Sequence, residues 1–292
     1  MRLLVTGATG FLGWRSTVLL RARGHDVVPV ARPRGSSRAL GKELGAERVD
    51  AGDPGIRALV SGSQAVLHFA GVPNPAGARA DPARSVRENV GTTLNLLEAC
   101  VEHGAGLIYP STVRAAVESP PDPYALSKRL GEELCRLHPA PATVVRLTSV
   151  YGPGQVAWEG ATGAIARFAA RAVEGASIVI PGNPERARDF LYVDDVVACL
   201  ERIVSERRWN EVLAMASGVS TPLLRAAELV REAAGSSSPI ETPGGDLPPG
   251  ENTSYEGVTD APRLHFPTRS LEEGVRPYVD WLRGHPAAQG RS

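Results

Sequence analysis

The chain has 292 residues, 42% of them apolar, and its 32 basic and 32 acidic side chains leave no formal net charge at pH 7. That length can bury a large core, as one big domain or one plus a smaller lobe. Balanced charge without a long basic run argues against a nucleic-acid partner, and no stretch approaches the ~20 apolar residues of a membrane span. Met1 leads directly into strand-like sequence rather than a signal peptide, so a cytoplasmic location is expected. Cys100, Cys135 and Cys199 are scattered and, like the six histidines, lack metal-ligand spacing. They read as small buried hydrophobes, with no metal site expected.

In chain order, Arg2–Thr6 is a short apolar run with strand character, and Gly7-Ala8-Thr9-Gly10-Phe11-Leu12-Gly13 follows it at once. A helical-looking stretch from Trp14 to Arg23 comes next, closed by Gly24. Strand, glycine turn and helix in this order can hold a dinucleotide. Glycines let the backbone approach a pyrophosphate, and the amides of the helix start bind the anion. An ordinary tight turn is the alternative. The second candidate strand, Asp26–Val30, ends at Ala31-Arg32-Pro33-Arg34, with Arg38 close behind. NAD-selective proteins usually place a carboxylate here for the ribose hydroxyls. Ala31 stands in that place, and guanidinium groups can bind a 2′-phosphate bidentately. NADP(H) is therefore the expected preference, through Arg32, with NAD(H) as the alternative. These arginines could also simply solvate a loop.

Further candidate strands are Ala65–Phe69, Gly106–Pro110, Thr143–Arg146 and Val212–Ala216, with helical stretches between most of them. Such alternation predicts an α/β fold with a parallel sheet covered on both faces. Past Gly154 the alternation breaks down, which divides the chain into 1–155 plus 189–216 and a smaller, discontinuous lobe of 156–188 plus 217–292. The Pro/Gly/Ser-rich run 235–254 reads as a disordered linker or a mobile flap.

Between the fourth and fifth of these strands lies Asp122-Pro123-Tyr124-Ala-Leu-Ser-Lys128, a helix start with Asp122 as N-cap and Pro123 at the first position. The chain has thirty arginines and only two lysines, so a lysine four residues after a tyrosine suggests a specific task. The i, i+4 spacing puts phenol and ammonium on one helix face. A nearby cation lowers a Tyr pKa from about 10, making Tyr124 a candidate proton carrier. A chance pair on a solvated helix is the alternative.

Together with the glycine turn and the Tyr124/Lys128 helix, several ordered segments resemble the extended short-chain dehydrogenase/reductases, in their nucleotide-sugar epimerase/dehydratase branch. They are Asp53, His68-Phe69-Ala70-Gly71, Glu88-Asn89-Val90-Gly91-Thr92, Arg146 to Gly154, Arg188 to Asp195, and Ser270 to Gly274. The resemblance implies a Rossmann-type doubly wound parallel sheet with a smaller substrate-binding lobe. It implies cofactor contacts at Gly7, Thr9, Gly10, Phe11, Leu12, Gly13, Asp53 (adenine), Phe69, Ala70, Gly71, Asn89, Tyr124 and Lys128. Thr112 is the implied partner of the reacting oxygen, with Ser111 in its place if the register differs by one. Proton exchange would run through Tyr124, with Lys128 depressing its pKa and binding the nicotinamide ribose. Ser149 and Arg188 are the implied substrate contacts, and a homodimer through the Asn89 and Tyr124 helices is implied, with Leu94, Leu97, Leu130 and Leu134 compatible.

Departures narrow the chemistry. Dehydratases of the branch follow the Thr with Asp-Glu; here Val113-Arg114 follow, and neither acts as acid or base at neutral pH. A second diphosphate-binding Arg is missing from Glu241-Thr-Pro-Gly-Gly-Asp246, and Ser149 replaces an Asn. Three functions remain open. The first is an NAD(P)-linked epimerase or 4-ketoreductase of a sugar, with a nucleotide-linked one favoured; the second is a ketoreductase of another small carbonyl compound in secondary metabolism. The third is a catalytically silent nucleotide-binding protein, against which Thr112, Tyr124 and Lys128 argue.

Overall fold

The computed structural model describes residues 1–33, 44–157, 163–255 and 261–285; Arg34 and Arg38 lie outside them. In chain order the elements are β1 (Arg2–Thr6), α1 (Phe11–Ala22), β2 (Asp26–Ala31), β3 (Glu47–Arg48), α2 (Ile56–Val60), β4 (Ala65–His68), α3 (Pro75–Ala80), α4 (Pro82–Val86), α5 (Thr92–His103), β5 (Gly106–Thr112), α6 (Pro123–Leu137) and β6 (Ala142–Leu147). There follow β7 (Ser149–Tyr151), α7 (Ala164–Glu174), β8 (Ile178–Pro181), β9 (Ala187–Tyr192), α8 (Val193–Ser205), β10 (Val212–Met215), β11 (Ser220–Pro222), α9 (Leu223–Ala233), β12 (Ile240–Gly244) and α10 (Leu271–Gly284). A π-helical turn, Arg87–Gly91, joins α4 to α5, and a 3-10 turn, Val113–Ala115, follows β5.

The chain forms two compact units. The first comprises Met1–Arg146, Val197–Ala214 and a short stretch ending at Arg263. Among the described residues its sheet has seven strands in the order β10-β6-β5-β4-β1-β2-β3. Pairing is parallel at β1–β2, β1–β4, β2–β3 and β4–β5. The order turns back on itself between β1 and β4, as in a doubly wound Rossmann sheet, and ligands of such sheets sit beyond the carboxyl ends of the strands at that point. Leu3, Leu4, Val5, Ala65, Val66, Leu67, Leu107 and Ile108 are at most 1% exposed. A sheet covered on both faces needs such continuous apolar runs rather than alternation. β5 runs to Thr112 rather than stopping at Pro110; its pairing with β4 ends at Ile108, so the proline sits where no β4 ladder bond is lost.

The second unit comprises Leu147–Val196 and, among the described residues, 215–255 and 264–285. It contains a three-stranded sheet, β11-β9-β7, and a β12–β8 pair. Its core includes Tyr151, Phe168, Ile180, Phe190, Tyr192 and Tyr278. The division falls at 146/147, not at 155/156. β7 pairs with β9 (Ser149↔Phe190, Tyr151↔Tyr192), and the Tyr151 and Tyr192 rings meet edge-on at 5.7 Å. Those contacts bring β7 and β9 into the second unit, whereas Ala214 N–H donating to the Pro262 carbonyl returns a piece of the late chain to the first.

The run 235–254 is not a structureless linker. It contains β12, paired parallel to β8 at Ile240↔Ile178. Beyond it, Asn252 Oδ1 accepts from Asn183 N (2.9 Å) and Ser254 Oγ from Ala187 N (2.9 Å). The composition resembles disorder because it is poor in apolar residues; pairing with a buried strand supplies the order instead. No described helix is long and apolar enough to cross a membrane.

Candidate functional site

The glycine turn links β1 to α1. Gly7 has φ +65°, open to glycine without strain, and a methyl group there would lie 2.7 Å from Ala70 N. A methyl at Gly13 would lie 2.7 Å from the Gly7 carbonyl carbon. These glycines thus bring the turn against the end of β4 and α1 against the turn. Thr9 and Gly10 complete it, and Gly10 begins α1 with no side-chain cap, while Phe11, Leu12 and Gly13 form a first turn without acidic residues. A cradle that admits no Cβ, at the positive end of an uncapped 12-residue helix, fits a dinucleotide pyrophosphate.

The strand-end segment Phe69-Ala70-Gly71 lies beside it, with Ala70 N donating to Thr6 Oγ1 (3.2 Å). The Thr6 hydroxyl is 2.9 Å from His68 Nδ1, and burial holds that imidazole neutral by lowering its pKa to about 3. Gly71 (φ +138°) faces Asn89 in the π-helical turn. Asn89 Oδ1 accepts from Val72 N (2.7 Å), and its Nδ2 donates to Ser127 Oγ (2.8 Å) on α6. Asn89 therefore ties the β4 end to the helix carrying Tyr124 and Lys128, and its amide is committed to protein partners. Asp53 accepts from Gly55 N (2.8 Å) in a tight turn, and Asn95 holds its carbonyl (3.2 Å).

α6 starts as the sequence predicts: Asp122 Oδ1 accepts from Ala125 N (2.9 Å), with Pro123 at the first position. Thr112, 9% exposed, accepts from Arg114 N through Oγ1 (3.2 Å) at the end of β5. Ser111 points to the other side of the strand and donates to Glu132, which Arg146 Nη2 also grips (2.7 Å). The strand register thus puts Thr112, not Ser111, at the strand tip, while the Ser111–Glu132–Arg146 network fastens β5, α6 and β6 together.

Lys128 differs from expectation. Its Nζ donates to the Pro110 carbonyl (2.8 Å) and lies 4.7 Å from the centre of the Tyr109 ring. Burial lowers its pKa to about 8. Tyr124 is not depressed: burial pushes its phenol up to about 12, opposed by Arg114 and reinforced by Asp122. Spacing placed phenol and ammonium on one helix face but not which carbonyl the flexible lysine would find, nor the desolvation that outweighs a nearby cation.

At the end of β2, Arg32 Nη1 meets Glu88 Oε1 and Oε2 at 3.2 and 3.3 Å, and Arg84 Nε donates to Glu88 at 2.7 Å. Glu88 belongs to the Glu88–Thr92 motif, where the sequence alone assigns it no part. Nor does the sequence pair Arg114 with Asp122, which form a buried ion pair eight positions apart. No periodicity reveals a contact of that kind; the nearest signal was the oddity of Val113-Arg114.

In the second unit, Ser149 opens β7 opposite Phe190. Arg188 donates to the carbonyls of Thr253 (2.6 Å) and Glu251 (3.1 Å) and lies 5.2 Å from the centre of the Tyr255 ring. An open cleft of about 430 Å³ is lined by Arg167, Phe168, Arg171, Val179 and Pro181.

Known proteins place this geometry. The model of the NAD dependent epimerase/dehydratase family matches residues 3–213. The chain is 27% identical to dTDP-glucose 4,6-dehydratase of Streptomyces antibioticus, over 98% of this chain and 94% of that one. It is also 27% identical to UDP-glucuronate 4-epimerase 1 of Arabidopsis thaliana, over 95% of this chain and 76% of that one. UDP-glucose 4-epimerase of Thermotoga maritima, solved with UDP-glucose, superposes with TM-score 0.80 at 26% identity, covering 97% and 99% of the two chains. With a match over most of its length and a doubly wound sheet bearing the glycine turn, the chain belongs to the NAD dependent epimerase/dehydratase family of extended short-chain dehydrogenase/reductases.

Proposed function

We propose that this protein is an NAD(P)-dependent enzyme that moves hydride at a carbinol or ketone carbon of a nucleotide-linked sugar, as an epimerase or 4-ketoreductase. The observation that carries this is the grouping of Thr112, Tyr124 and Lys128 on β5 and α6, joined through Asn89 to a glycine cradle. When bound, the nicotinamide would accept hydride from the carbinol carbon and return it. Tyr124 holds its proton at neutral pH, so it donates to a ketone oxygen and, as phenolate, takes the proton back from the carbinol. Thr112 Oγ1, fixed by Arg114 N, would orient that oxygen. Lys128, held by Pro110, would bind the nicotinamide ribose. Gly7 to Gly13 would cradle the pyrophosphate, with Asp53 near adenine and Phe69 to Gly71 lining the turn. Ser149 and Arg188 are the proposed substrate contacts.

The relatives named above act on or bind dTDP- or UDP-linked sugars, and that supports the substrate class. Dehydration is disfavoured, because Val113 is buried and Arg114 is ion-paired where an acid and a base would be needed. The test is to denature freshly purified protein, identify released nicotinamide by mass, and assay UDP-glucose. Stoichiometric dinucleotide with redox-neutral isomerisation supports an epimerase. Empty protein that consumes reduced cofactor supports a ketoreductase. Failure to bind any nicotinamide sinks both.

NADP(H) preference is proposed to depend on Arg32 and Glu88. A solved relative, MoeE5, is described with UDP-glucose and NAD, 25% identical at TM-score 0.82, so NAD(H) use is the competing outcome. Glu88 partly neutralises the guanidinium that a 2′-phosphate would need. Arg32→Ala should weaken NADPH by about tenfold (~1.4 kcal/mol) and leave NADH nearly unchanged. Glu88→Gln should shift the NADPH/NADH affinity ratio the other way, and equal losses for both cofactors in calorimetric titration would refute the phosphate contact.

A homodimer is proposed through α5 and α6. Leu97 is fully buried and Leu134 packs on the core, but Leu94, Leu126 and Leu130 are 40–44% exposed on those helices. A second copy with the same face would cover them. Leu130→Asp should then yield monomers in analytical ultracentrifugation; unchanged sedimentation would exclude this face.

A further inference from the structure

We infer that Glu132, bonded to Ser111, is the residue that positions the tip of β5, and with it Thr112 and the Pro110 carbonyl, against the Tyr124/Lys128 face of α6. The role assigned to Glu132 rests on Tyr124 as the proton carrier and Thr112 as its partner.

Helical spacing puts Tyr124, Lys128 and Glu132 on one stripe of α6, each about a turn after the last. The last three residues of β5 are each held by a different group. The Pro110 carbonyl accepts from Lys128 Nζ (2.8 Å), the Ser111 hydroxyl donates to Glu132 Oε1, and Thr112 Oγ1 accepts from Arg114 N (3.2 Å). Pairing of β5 with β4 ends at Ile108, so the tip lies beyond that ladder and these bonds bear on where it sits.

The two side-chain bonds to α6 differ in stiffness. Lysine carries its ammonium on a flexible four-carbon stem, which can follow a strand that drifts. Glu132 cannot follow in that way. Arg146 Nε donates to both of its oxygens (3.1 Å each), and Nη2 adds a bond to Oε2 (2.7 Å). The Glu132 and Arg146 side chains are 5% and 11% exposed, and Ser111 is buried with them. Arg146 belongs to β6, which neighbours β5 in the sheet. The carboxylate is thus clamped between a helix and the adjoining strand, and Ser111 takes its place from that clamp. A buried ion pair rarely repays its desolvation in stability, which points to a role in geometry. Strand alternation turns Ser111 and Thr112 to opposite faces. The clamp therefore holds the Thr112 hydroxyl from behind without touching substrate, and a misplacement of about 1 Å at such a site can cost ~10²-fold in rate.

Ser111→Ala removes the bond and leaves the ion pair and every group proposed to touch substrate or cofactor. It should lower kcat with UDP-glucose by at least about tenfold, with KM and dinucleotide Kd within about threefold of wild type. Position is read separately. The chain has only two lysines, so full-length protein labelled with 13Cε-lysine gives two NMR signals, and Lys128 is assigned by its loss in Lys128→Arg. Ser111→Ala should shift the Lys128 signal, because the Pro110 carbonyl moves with the tip. Glu132→Gln, nearly isosteric, should do the same and serves if Ser111→Ala fails to fold. Glu133→Gln, at the exposed neighbouring position, should alter neither readout. With Tyr124→Phe inactive, a Ser111→Ala kcat within about twofold of wild type overturns the inference. An unmoved Lys128 signal also overturns it, whatever the melting temperature does. If Tyr124→Phe turns over normally while the Lys128 signal moves, the positioning stands and the catalytic reading of Tyr124 fails alone.

Discussion

Tyr124→Phe should bind the dinucleotide with near-normal affinity and lose about 10²–10⁴-fold in turnover, the range of a general acid–base group. The substitution removes one hydroxyl and keeps the ring, so α6 should be undisturbed: its cap is Asp122, and Ser127 and Lys128 make their bonds without the phenol oxygen. Cofactor contacts proposed for Gly7 to Gly13 also do not involve it. The expected result is therefore a fall in kcat with little change in dinucleotide Kd, measured by steady-state kinetics with UDP-glucose and by calorimetry. Turnover within threefold of wild type would end the proton-relay reading. Because burial keeps the phenol protonated near neutral pH, ketone reduction finds its proton donor ready, whereas carbinol oxidation depends on the phenolate and should accelerate as pH rises.

The sequence carried most of the first unit for a physical reason. Strands buried on both faces must be nearly continuous apolar runs, so β1, β2, β4, β5, β6 and β10 stand out within a residue or two of their observed ends. The glycine turn and the capped start of α6 were equally legible, since each depends on contacts within a few residues. What sequence could not carry was long-range choice. β12 lies in Pro/Gly/Ser-rich sequence and owes its order to β8, while β7 joined the second unit through pairing with β9. At the site the same distinction holds. The positions of Tyr124 and Lys128 follow from helical spacing, but their electrostatics follow from burial, from Pro110 and from Arg114. Arg32 was legible as a cation, and its carboxylate partner, fifty-six residues away, was not.

Gly13→Ala should cost several degrees of melting temperature and weaken dinucleotide binding by at least about tenfold, or ~1.4 kcal/mol. Gly13 is buried on α1, and an added methyl would stand 2.7 Å from the Gly7 carbonyl carbon and 2.9 Å from Ala8 Cα. Those neighbours are backbone, and Gly7 is itself wedged against Phe69 and Ala70, so the turn cannot yield without moving α1 off β1 or the β4 end. Overpacking of this kind costs about 1–3 kcal/mol or more. The displacement falls on the amides of the Gly10-Phe11-Leu12 turn, where the proposed pyrophosphate would sit, which is why affinity should fall together with stability. Gly284→Ala, at the end of α10 with nothing within 4 Å of the new methyl, separates the two effects of adding a carbon. It should leave melting temperature within about a degree and dinucleotide Kd unchanged. If Gly13→Ala also leaves Kd unchanged in calorimetry, the turn does not hold the pyrophosphate, whatever happens to its melting temperature.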